Sequence, residues 1–134
     1  MNQKIKFLFV CLIFTQGLHS VEEYLGKLWE VFAPATFLCQ LVSNDMETGF
    51  LIINISLFVF GLVSILLVLT RRCGKINTLI WFWIILEIGN GLGHFSWSLI
   101  EKEYTPGLWT AMVLFPVGVY LAILMKQKPL KKYF

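Results

Sequence analysis

Four long apolar runs, separated by shorter polar stretches, set the organisation of the chain. They cover about 5–23, 50–69, 76–100 and 107–125, and some 20 apolar residues at ~1.5 Å each suffice to cross the hydrocarbon of a bilayer. The apolar part of the first run, Ile5 to Leu18, is short for a bilayer, so it is expected to continue helically through Val21-Glu22-Glu23-Tyr24 with its polar end at the interface. Residues 24–48 mix Trp29, Phe32, Phe37 and Leu38 with Lys27, Glu30, Asp45 and Glu47, and Pro34 breaks any long helix there. That pattern predicts an interfacial segment, two short helices lying on or dipping into the membrane. Ser43-Asn44-Asp45 and Thr48-Gly49 read as punctuation before the second run. The expected fold is an all-α integral membrane bundle of four transmembrane helices, residues 1–134 forming a single domain.

Composition supports this picture. The hydrophobic fraction is 57% and the charged fraction only 14%, against roughly 45–50% and 25% in soluble domains. Basic residues set the orientation. With the amino terminus in the cytoplasm, Lys4, Lys6, Arg71, Arg72, Lys75, Lys126, Lys128, Lys131 and Lys132 are inside, and only Lys27 and Lys102 of the 11 lie outside. Both termini are therefore expected to be cytoplasmic, most simply in the plasma membrane. The basic tip and short apolar start also resemble a secretory signal. Leu18-His19-Ser20 makes a poor small-x-small cleavage site, so the first span is expected to be retained. Cys11, Cys39 and Cys73 are widely spaced and odd in number, forming neither a disulfide framework nor a CxxC pattern.

The third run carries the chemistry. Glu87 lies near its middle, and Asn90 and His94 follow within about a 60° sector of the helix, beside Trp83 and Gly91. An ionisable group at membrane depth costs roughly 2.5–3.5 kcal/mol on insertion scales, so Glu87 is expected to face the protein interior and find a partner. In this topology His94 lies roughly 10 Å nearer the outer face than Glu87. His19, Glu22 and Glu23 at the end of the first span, Asn54 in the second and Thr110 in the fourth share the outer half of the bilayer. A bundle could gather them into one pocket. Glu22 and Glu23 flank His19 on its own helix face, where a carboxylate can orient the imidazole, share its proton or help it hold a metal. A solvated helix end would accommodate the same three residues. Gly89-x-x-x-Gly93 is expected to allow close helix approach. The five tryptophans read as interface belt or packing. Tyr104-Thr105-Pro106-Gly107 reads as the turn that starts the fourth span.

HSVEE at 19–23, NGLGH at 90–94, YTPG at 104–107 and the apolar run after them with Thr110 and Pro116 resemble the HXXEE family, small integral membrane proteins named for that pentad. The resemblance covers most of the chain. It implies a polytopic membrane protein of unassigned function, suspected of being an enzyme, with His19, Glu22, Glu23, Asn90, His94, Tyr104, Pro106 and Gly107 as the marked positions. Glu87 and Asn54 rest on the physical argument alone.

These residues suggest a membrane-embedded enzyme acting on a lipid or other apolar substrate. His19, Glu22, Glu23, Glu87, Asn90 and His94 would be catalytic; Asn54, Trp83, Tyr104 and Thr110 would bind substrate. Acid–base work needs groups whose environments push their proton affinities apart. A divalent metal on His19, Glu23, Glu87 and His94 is the other chemistry, and histidine and carboxylate ligands would suit zinc, iron or manganese. A proton-coupled transporter, with Glu87 titrating at the midplane, and a ligand-binding accessory protein are the alternatives. No hydrolase elbow, phosphate loop, dinucleotide fingerprint or nucleic-acid module is present.

Overall fold

A computed structural model describes residues 1–127, so the carboxy-terminal lysines expected to anchor the inner face lie, from Lys128 onward, outside the described residues. The described chain is all-helical: α1 Gln3–Leu25, α2 Leu28–Val31, α3 Ala33–Val42, α4 Met46–Thr70, α5 Ile76–Glu101 and α6 Leu108–Lys126. Helices α1, α4, α5 and α6 are long and apolar enough to cross a membrane.

The boundaries follow from caps. Asn2 accepts from the Lys4 amide at the start of α1, and Gly26 closes its end by donating to the Glu22 carbonyl. Asp45 accepts from the Thr48 amide at 2.9 Å, which starts α4 four residues before the expected 50. Thr48 and Gly49, read from sequence as punctuation, are thus first-turn helix residues. Pro34 falls in the opening turn of α3, where a missing amide costs nothing. The fourth span begins at 108 rather than 107, because Gly107 at φ 92° is the cap outside the helix.

Ile5, Phe9, Leu12 and Ile13 of α1, Val68 of α4, Ile80, Trp83 and Ile84 of α5 and Leu114 and Leu121 of α6 form the main core. Outward faces are apolar too: Phe7, Ile55, Ile85 and Leu99 are all exposed. A helix apolar all round belongs in lipid. A second cluster, Leu28, Trp29, Cys39 and Phe50, seats α2 and α3 against α4, matching the two short helices expected between the first and second spans.

One packing expectation is corrected. A Cβ on Gly89 or Gly93 would meet nothing within 4 Å, so among the described residues that pair makes no close helix contact. Gly91 does: its Cβ would come 2.8 Å from Phe115 Cβ of α6, and one on Gly118 would lie 3.1 Å from Ile88. The small-residue spacing was read on the wrong face of α5, for Gly91 sits ~200° from either neighbour.

Candidate functional site

The buried stripe of α1 runs Ile5, Phe9, Leu12, Ile13, Gln16, His19, Glu23. Its last three members turn polar as the helix nears its end, where the end of α5 and the start of α6 also lie. His19 is fully buried and Glu23 nearly so. Glu23 Oε1 stands 3.2 Å from His19 Nε2 and 3.1 Å from His94 Nε2 of α5. The two imidazoles meet edge to face, with centroids 4.7 Å apart. One ligand atom from each of His19, Glu23 and His94 lies within 4.8 Å of the others, so these three could hold a metal. Gly107 is built into this contact: a Cβ there would fall 2.5 Å from His94 Cε1 and 2.8 Å from His19 Cε1.

Glu22, one residue earlier, points elsewhere. Its Oε1 accepts from the Tyr104 hydroxyl at 2.7 Å and the Trp109 amide at 3.1 Å. Its Oε2 accepts from the Thr110 amide at 2.8 Å and the Thr110 hydroxyl at 2.5 Å. Gly107 has no side chain to cap α6. Glu22 caps it from another helix, placing negative charge at the helix amino terminus, where it is stabilising. Thr110 Oγ1 also lies 2.7 Å from His19 Nδ1, which joins the cap to the imidazole pair. Tyr104 is outside the spans; burial, and then its bond to Glu22, push its phenol up to about 12.

Glu87 is fully buried and faces inward from α5. Its immediate partner is the Gln16 amide, which, with nitrogen toward the carboxyl, donates to Oε2 at 2.8 Å and Oε1 at 3.2 Å. Asn90 adds a side-chain contact one turn on. The imidazoles therefore converge on Glu23, while Glu87 sits deeper and is not in the three-residue group. Two further candidates lie apart. Trp83 is fully buried and donates to Ser64 Oγ at 3.0 Å. Asn54 accepts from Ser20 Oγ at 2.8 Å and faces a cleft of ≈530 Å³ between α1 and α4.

Sequence reasoning missed Gln16, Ser20 and Ser64. Gln16 had a signal, being polar and three residues before His19 in an apolar run. The serines had none, since short hydroxyls often bond their own helix, as Ser64 does to the Phe60 carbonyl.

Fold and site together define a multi-pass helical membrane protein with a buried histidine–glutamate cluster near one end of its bundle. The chain belongs to the family described as proteins of unknown function with an HXXEE motif, whose model matches residues 8–121. No curated protein and no solved structure matches the chain significantly.

Proposed function

We propose that this protein is a membrane-embedded enzyme acting on a lipid or another apolar substrate, with His19, Glu23 and His94 as its reacting groups. One observation carries the reading: a single carboxylate oxygen stands within 3.2 Å of two imidazoles from different helices, inside an apolar bundle. Ionisable groups at membrane depth are costly and mark functional sites by default. Imidazoles sharing a carboxylate can accept and return a proton at a reacting atom. His19 lies six residues, roughly 9 Å, from the end of α1, a depth at which lipid ester and headgroup bonds meet the hydrocarbon. The basic-residue asymmetry supports an outward-facing position for that end, and the plasma membrane is part of the proposal.

The test is conversion of a membrane lipid extract by purified, reconstituted protein, followed by mass spectrometry. Wild type should consume a lipid class that Glu23→Gln leaves intact. Identical lipid profiles for the two would refute the enzyme.

A second reading, a proton-coupled carrier, draws on Glu87, fully buried in the bundle and bonded to Gln16 across the α1–α5 contact. Proton-driven flux in proteoliposomes that is lost in Glu87→Gln, without lipid turnover, would favour it.

A further inference from the structure

We infer that His19, Glu23 and His94 form a binding site for one divalent transition-metal ion, zinc being the ion that suits them best. The inference concerns the same three side chains as the proposed enzyme but does not need turnover to be judged.

The argument starts at Glu22. Its carboxylate takes four donors, among them the Thr110 hydroxyl at 2.5 Å. A hydroxyl has one proton. Having given it to Glu22, Thr110 Oγ1 can only accept at its 2.7 Å contact with His19 Nδ1. His19 therefore carries its proton on Nδ1. In the neutral ring, Nε2 is then a bare lone pair.

That lone pair is fully buried and has no hydrogen-bond partner among the described residues. It stands 3.2 Å from Glu23 Oε1, itself an acceptor. Two acceptors facing one another in an apolar interior call for a cation between them. His94 Nε2 reaches the same oxygen at 3.1 Å, within hydrogen-bond range. A metal ion would answer both contacts at once, with imidazole nitrogen and carboxylate oxygen ligands whose bonds to zinc are ~2.0–2.2 Å.

The donor set is two histidines and one carboxylate, three protein ligands that leave a fourth position for water or substrate. His19 also has the supporting bond that metal-ligating histidines usually have, here Nδ1–H to Thr110 and on to Glu22. Neutral imidazoles and one carboxylate give the inner set a charge of −1, which a divalent ion more than balances. The competing occupant is a proton on His19 Nε2, making an imidazolium–carboxylate pair. The two differ in a quantity that can be counted.

Full-length protein purified in detergent from cells grown with zinc should retain about one ion per chain by elemental analysis. After chelation, cobalt(II) added in its place should give visible absorption bands of a tetrahedral ion. Glu23→Gln should lose both signals, and Thr110→Val, which keeps all three ligands, should bind zinc about 10–100-fold more weakly. Size-exclusion profiles check that both variants fold. Wild type without stoichiometric metal and without cobalt bands overturns the site by itself. Lipid turnover by such metal-free protein would leave the proposed enzyme standing on acid–base chemistry alone.

Discussion

Glu22 and Glu23 are adjacent and do unrelated work, because neighbouring side chains on a helix diverge by ~100°. Glu22 holds the start of α6 through Tyr104, Trp109 and Thr110, whereas Glu23 holds the two imidazoles. Glu22→Gln is predicted to lower thermal stability in detergent by about 1.5 kcal/mol, the low end for hydrogen bonds to a charged group, since this carboxylate is partly exposed. An unchanged melting temperature would contradict the cap. Tyr104 gives a pH prediction. A phenol raised to about 12 in the folded chain, against ~10 unfolded, contributes stability below pH ~10 that is lost as pH rises toward 12. Ultraviolet titration should show a late-ionising tyrosine that Tyr104→Phe removes; an unaltered upper limb would refute it. The pentad was visible in the sequence, but its division of labour was not. Positions three and four after His19 flank it equally well, and only the arrival of α6 beside one of them decides.

The arrangement of elements turns on the Tyr104–Gly107 turn, which brings α6 back against α1 and α5. Gly107 combines a left-handed backbone with a position where any Cβ would collide with both imidazoles. Gly107→Ala should cost about 1–3 kcal/mol in backbone strain alone and displace the rings as well. Protein that folds normally and keeps its imidazole environment would contradict this. On α5 the glycines divide in the same way. Gly91→Ala should destabilise through Phe115, while Gly89→Ala, facing open space, should be neutral or stabilise by up to about 1 kcal/mol. Thermal unfolding of the two variants settles the ranking. Sequence spacing marked a small-residue face on this helix without revealing which face meets a neighbour. Apolar run length located all four long helices, and caps adjusted their ends: Asp45 lengthened α4 because a capping carboxylate outweighs the turn character of Thr48-Gly49.

For the whole molecule, hydropathy was enough to recognise a membrane bundle, because four runs of that length have few other homes. Which polar residues share a pocket was harder to read. Depth placed His19, His94 and Thr110 together, but it also placed Asn54, which the rotation of α4 turns toward Ser20 instead. Glu87 lies within electrostatic reach of the His19 imidazole, but its immediate partner is Gln16, whose amide was overlooked in an apolar helix. Orientation remains a prediction of charge asymmetry. With the other cysteines changed to serine, Cys73 in the α4–α5 loop should react with an impermeant maleimide only after cells are permeabilised. Glu103→Cys, in a chain lacking Cys73, should react in intact cells; the reverse pattern would invert the protein. The central claim is that Glu23 of α1 serves both histidines, one of them on another helix. The chain has only two histidines, so ¹⁵N-histidine labelling reports this site and nothing else. In detergent micelles, Glu23→Gln is predicted to shift the ring-nitrogen resonances of His19 and His94 together. A shift confined to His19, its neighbour one helical turn away, would contradict the shared site.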